Sequence, residues 1–194
     1  MIGKGFVIEN PFTRSRVTVL EGDAETGGRG WLLENRRAPH TGVDVPEHVH
    51  MTWTETFEIV SGTATYKLNH KMKTATAGDV IVMPPRLPHI HPWNTGNAEL
   101  VYRQRTEFGT PDPHAMEDVL GALATRAGLA REGKCDELGR PRNPLQLAAS
   151  LRVLNKHGSY DASIPKFVQN LLGVTLGTLG DILGYKAVYQ KYLV

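Results

Sequence analysis

What most constrains the fold of this chain is how often its first 109 residues turn. The short runs FVIE, RVTVLEG, GWLLEN, TFEIVSG, TATYKLN, DVIVMPP and ELVYRQRTEF are rich in Val, Ile, Thr, Tyr and Phe, and most are bounded by Gly, Pro, Asn or Asp. Between them there is little helical patterning, so they do not alternate with crossover helices in a parallel sheet. They predict a mainly β fold, an antiparallel sandwich or barrel.

From Pro111 onward the texture is helical. In DPHAMEDVLGALATRAG, Asp112 is placed to cap a helix, Pro113 to open it and Gly128 to stop it, with Met116, Val119, Leu120 and Leu123 on one face. NPLQLAASLRVLNKHG repeats the grammar: Asn143 caps, Pro144 starts, Gln146 sits third and Gly158 terminates. A third helix is expected from residues 163–165 towards Gly184, with Leu172, Leu176, Leu179 and Leu183 as its apolar stripe. Gly173, Gly177, Gly180 and Gly184 allow that helix a close approach to the β-domain or a dimer partner. The charged REGKCDELGRPRN between the first two helices reads as a mobile loop. The expected organisation is a β-domain over residues 1–110 and a helical extension over 111–194. The extension packs on the outside of the β-domain or lengthens a homodimer interface, because its apolar stripes must be buried somewhere.

Bulk properties narrow the function classes. Hydrophobic content of 40% and charged content of 22% are ordinary for a globular chain with a core of its own. A net charge of +2, with both signs mixed along the chain, is too weak for a nucleic-acid or membrane footprint. The single cysteine, Cys135, excludes an internal disulfide and sits far in sequence from the motifs below, so a catalytic role for it has little support. MIGKGFVIENPFTRSRV lacks the apolar run of a signal peptide, and cytoplasmic location is the default expectation. Residues 167–183 include Gln169, Asn170 and Asp181 and fall short of the roughly 20 apolar residues that span a bilayer.

The chemistry-bearing stretch is GVDVPEHVHMTWTETFEIVSG. On a strand or extended segment, His48 and His50 project to the same face. An antiparallel neighbour running through TFEIVSG can bring Glu55 opposite them. Two neutral imidazoles and a carboxylate suit a divalent first-row metal. A fourth donor is sought in AGDVIVMPPRLPHIHPWNTGN, where the prolines around Arg86 make a tight corner that would deliver His89 on the following strand.

These spacings resemble the cupin superfamily. Gly42, five residues, His48, one, His50, four, Glu55, six, Gly62 matches that family's first motif. Gly78, five residues, Pro84, then His89 and Asn94, resembles the second, with Arg86 where the family usually has glycine and Asn94 one position late. The resemblance covers most of the first 110 residues and none of the helical extension. It implies a double-sheet jelly-roll β-barrel holding one divalent transition metal (Fe, Mn, Zn, Ni or Cu) on His48, His50, Glu55 and His89. Two positions of an octahedral ion would remain for water, an organic acid or dioxygen.

Around this set, His91 would face the same way as His89 on a regular strand, as a base or alternative ligand, although Pro92 can bend it away towards solvent. Arg86 either reaches the pocket mouth to orient a carboxylate or phosphate, or is a solvated surface residue. Glu55, Phe57 and Ile59 are expected inward and Glu58 outward, and Trp53 and Trp93 wall the pocket or simply pack. On the last strand either Tyr102 or the pair Arg103 and Arg105 looks inward, and Tyr66 and Lys67 are equally open. ETGGRG reads as a hairpin connection and not a phosphate loop. The expected function is a metal-dependent cupin binding a small polar organic molecule, with oxidoreductase (dioxygenase), decarboxylase or isomerase chemistry. The alternative is a non-catalytic sensor or carrier using the same pocket.

Overall fold

A computed structural model describes residues 2–136 and 139–193; part of the REGKCDELGRPRN segment, Glu137 and Leu138, lies outside the described residues. The chain begins with strands β1 (Val7–Asn10) and β2 (Ser15–Glu21), one helical turn α1 (Asp23–Thr26), and strand β3 (Gly30–Arg37). Strands β4 (His48–His50), β5 (Trp53–Ser61), β6 (Thr63–Leu68) and β7 (Lys71–Thr76) follow. Then come β8 (Val80–Met83), β9 (His89–Asn94) and β10 (Leu100–Phe108). Helices α2 (Ala115–Arg131) and α3 (Pro144–Lys156) precede a last short strand, β11 (Ser159–Asp161), and helix α4 (Lys166–Ile182).

All strand pairs are antiparallel, in two sheets of order β1-β2-β3-β10-β5-β8 and β11-β4-β9-β6-β7. The mainly β, double-sheet expectation holds, but the sheets do not close into a barrel. Each keeps its edges, β1 and β8 in one, β11 and β7 in the other. Strand β8 has only four residues before Pro84 and Pro85, which offer no backbone N–H for a closing ladder.

Alternation decides what lies between the sheets. Glu55, Phe57 and Ile59 of β5 are buried while Glu58 is exposed, and Phe57, Ile59, Ile81, Met83, Leu100 and Tyr102 form one apolar cluster. Tyr102 is the inward residue of β10, with Arg103 exposed and Arg105 half-buried. A second cluster joins Val19, Trp31, Trp53 and Phe108 to Met116 and Leu120 of α2.

Three local expectations are corrected. Asp112 does not cap α2: the helix starts at Ala115, and the Asp112 carboxylate instead accepts His114 N–H at 3.2 Å and meets His157 Nδ1 at 2.7 Å. Gly128 does not stop α2, because the Tyr192 ring occupies the space a side chain there would need, and the glycine serves that contact inside the helix. In α4 the buried positions are Gln169, Gly173, Gly177 and Gly180, whereas Leu176, Leu179 and Leu183 are exposed. The glycines let α4 approach α3 so closely that Cβ atoms at 177 and 180 would fall 3.0 Å from the Ala148 carbonyl oxygen and 2.9 Å from that of Leu145. Asn143, by contrast, caps α3 as read, accepting from Leu145 and Gln146 N–H at 2.9 and 3.3 Å. ETGGRG does connect an antiparallel pair, through the turn α1.

Candidate metal centre

Strand β4 presents His48 and His50 inward on either side of Val49, and both are buried. It lies between β11, where Ser159 faces His50 and Asp161 faces His48, and β9, where His89 pairs with His48. Glu55 enters from the opposite sheet. The corner before β9 is set by Arg86, whose φ of +69° is the left-handed conformation that glycine adopts most easily, which accounts for the family's usual residue there. Its backbone N–H donates to the His50 carbonyl at 2.7 Å and so ties the corner to the ligand strand, while its side chain is exposed. The pairing of β6 with β9 shifts register between Thr65 and Lys67, opposite His91 and Pro92. Such irregularities re-aim side chains. Here His91 stays with the cluster: its Nε2 lies 2.9 Å from Glu55 Oε2 and 3.1 Å from His48 Nε2.

Five side chains therefore converge, His48, His50, Glu55, His89 and His91, with one donor atom from each lying within 4.8 Å of all the others. Of the five, His91 is the one not fully buried. The remaining contacts are His50 Nε2 to Glu55 Oε2 at 3.4 Å and His89 Nε2 to the same oxygen at 3.2 Å. Donors about 2.0–2.2 Å from one ion and at right angles to each other lie about 3 Å apart. The observed neighbour separations have that scale.

Local hydrogen bonds choose the tautomers. His48 Nδ1 lies 2.8 Å from the Pro46 carbonyl oxygen and His89 Nδ1 lies 2.8 Å from that of Leu87. A carbonyl only accepts, so each Nδ1 carries a proton, and the neutral form of each ring turns its Nε2 lone pair to the cluster. His89 Nε2 makes no hydrogen bond although buried beside a carboxylate oxygen. With His89 neutral these are two electron-pair donors 3.2 Å apart in a buried site, and a cation between them would satisfy both. The donor set thus fits a divalent ion.

The charge state fits as well. Burial works against a charge on Glu55, yet the His91 and His50 imidazoles hold its carboxyl well below the usual 4.5. Burial, with His91, His50 and His89 close by, pushes His48 well below 6.5, and burial lowers His50 in the same direction. A Glu55 carboxylate beside neutral His48 and His50 is the protonation state that metal binding needs.

Two residues that motif reading missed complete the site. Gln104 Nε2 donates to Glu55 Oε1 at 2.9 Å and Thr106 Oγ1 donates to the same oxygen at 3.4 Å. They share the inward face of β10 with Tyr102, so alternation along LVYRQRTEF was the signal that could have found them. The Trp53 ring stacks on His50 at 4.3 Å between centroids, and Phe57 lies 5.0 Å from His91. Asn94 is wholly buried and holds loops, its amide donating to the carbonyls of Arg37, Ala38 and Ala98. Lys67 pairs with Glu47 at 2.8 Å, and Tyr66 is half-buried against the inter-sheet cluster. Cys135 is buried away from the histidines, 3.8 Å from the Arg126 carbonyl.

Residues 37–102 match the family model described as "Cupin domain". Over that segment the chain is similar to a cupin domain. A search of the curated proteins finds no match. Among solved structures, a predicted oxalate decarboxylase from Thermotoga maritima is 19% identical, over 56% of this chain and 99% of that one, with a TM-score of 0.48. An uncharacterized conserved protein with a double-stranded beta-helix domain from Klebsiella pneumoniae is 20% identical, over 58% and 85% respectively, with a TM-score of 0.41. A sugar phosphate isomerase from a cupin superfamily, from Silicibacter pomeroyi, is 16% identical over 48% and 59%, with a TM-score of 0.41. At these identities the likenesses assign no activity to this chain. No helix among the described residues is long and apolar enough to cross a membrane.

Proposed function

We propose that this chain is a metal-dependent cupin that binds a small, oxygen-rich organic molecule at a divalent first-row ion held by His48, His50, Glu55 and His89. The observation that carries this reading is the convergence of buried donors, with His89 Nε2, which has no hydrogen-bond partner, 3.2 Å from Glu55 Oε2. When bound, the ion supplies Lewis acidity towards carboxylate or hydroxyl oxygens and, if it is iron or manganese, a route to oxygen chemistry. The protein's own groups set the rest. Gln104 and Thr106 fix Glu55 so that a single oxygen faces the imidazoles. Trp53 and Phe57 exclude water from the sides. His91 stands at the mouth with Nε2 against Glu55 Oε2, where it can hold or release a proton beside an arriving ligand. Arg86, exposed at the corner before His89, is the cation on hand to orient an anionic substrate. A dioxygenase, decarboxylase or isomerase reaction is compatible with this set.

The test is elemental analysis of protein purified without a metal-affinity tag. About one equivalent of a first-row metal per chain is expected, with His48→Ala reduced to a small fraction of that. Metal content that is absent from the wild type, or unchanged in His48→Ala, overturns the reading. Oxygen uptake and product formation by the iron-loaded protein with a panel of carboxylates and phenols then separate an enzyme from a carrier that binds without turnover.

A further inference from the structure

His91 lies outside the ligand set that the motif spacing implies, yet the contacts within the cluster give it a corner of its own. The ring of His89 lies 4.4, 5.3 and 5.6 Å, between centroids, from those of His48, His50 and His91. Its Nε2 is 3.2 Å from Glu55 Oε2, so His89 neighbours all four other donors. His48 neighbours His50 and His91, at 4.9 and 4.7 Å between ring centroids. Glu55 Oε2 neighbours the same two residues, at 3.4 and 2.9 Å from their Nε2 atoms. The two pairs left over, His48 with Glu55 and His50 with His91, share no close contact among the described residues. These contacts are the edges of a square pyramid with His89 at its apex, five corners of an octahedron. Opposite donors on one ion lie about 4.0–4.4 Å apart, inside the 4.8 Å that bounds the whole cluster.

We infer that His91 is a fifth protein ligand, opposite His50, and that the ion keeps one open position where the motif ligands alone would leave two; this rests on the metal-binding reading above. His91 Nε2 sits 2.9 Å from Glu55 Oε2 and 3.1 Å from His48 Nε2. A nitrogen in contact with two ligand atoms is within reach of the ion they share. An N–H aimed there would meet the cation, so in the loaded chain the proton that His91 brings to the mouth is the one on Nδ1. That nitrogen makes no hydrogen bond among the described residues, and its side chain is 16% exposed, so solvent or an arriving ligand meets it. The ring is also held in place, with Phe57 packed 5.0 Å away and the His89 ring within 9° of parallel. The consequence is a class of substrate. With one position left, a ligand attaches through a single oxygen, as a monocarboxylate or an alcohol does. A molecule that chelates through two oxygens fits only by displacing His91.

The experiment is NMR of the Co(II)-loaded full chain carrying isotope-labelled histidine, in which rings bonded to the ion are told apart by their contact shifts. Four such rings are expected in the wild type and three in His91→Ala. A second count comes from the Mn(II)-loaded chain, where water-proton relaxation is expected to report one exchangeable water in the wild type and two in His91→Ala. Three bonded rings in a wild type that holds about one equivalent of cobalt overturn the inference and leave the metal-binding reading standing. Two waters on the wild-type Mn(II) form do the same. A wild type that binds neither ion overturns both. Should His91→Ala fail to fold, the two wild-type counts decide by themselves.

Discussion

At the centre of the cluster, Glu55 offers Oε1 to Gln104 and Thr106 and leaves Oε2 for the imidazoles. Partners of this kind usually govern metal affinity by about 10–100-fold. Gln104→Leu keeps the side chain's approximate volume and removes the donor, so it should weaken metal binding by that order while the protein stays folded; competition against a chromogenic chelator measures it, and a change under about 3-fold would deny Gln104 the role. The same residues set a pH response. Glu55 lies below 4.5 and His48 and His50 lie below 6.5 in the folded chain, so across those ranges the unfolded chain binds more protons than the folded one. Stability therefore falls on acidification, first as pH drops below 6.5 and further below 4.5. The Tm of metal-free protein should decrease steadily from pH 7 to pH 4, and Glu55→Gln should flatten the lower part of that curve. An increase in Tm over this range would contradict the charge assignment.

At the scale of elements, α4 shows how one periodicity can carry two faces. Its leucines and its glycines both recur at helical spacing, and only the distance of closest approach to α3 decides which set is buried. A leucine at Gly177 must push against the Ala148 carbonyl and the Arg152 side chain, so Gly177→Leu should cost about 1–3 kcal/mol, seen as a Tm several degrees lower, whereas the exposed Thr175→Leu should leave Tm almost unchanged. The α3 cap was readable because Asn143, Pro144 and the following N–H groups are neighbours in sequence. The start of α2 was not, because Asp112 is drawn to His157, 45 residues away.

At the scale of the molecule, the helical segment is joined to the metal-ligand strand. Strand β11 pairs with β4, and Gln169 of α4 clamps its end, donating to the Asp161 and Ile164 carbonyls at 2.8 and 2.7 Å and accepting the Asp161 N–H at 3.0 Å. Helix α2 meanwhile covers Trp31 and Phe108 of the larger sheet. Truncation after Gly109 removes all three supports. It should yield a poorly soluble chain with greatly reduced metal content, and a soluble, equally stable, metal-loaded truncation would show that residues 1–110 stand alone. What the sequence determined by itself is whatever depends on short range: alternation along strands, caps, and the motif spacing that sets His48, His50 and Glu55 two and five residues apart. Only the tertiary structure could decide that the sheets stay open, that Gln104 and Thr106 face Glu55, that His91 remains with the cluster, and that α4 buries glycine and shows leucine. Each of these turns on distances between segments far apart in the chain, which no local pattern encodes.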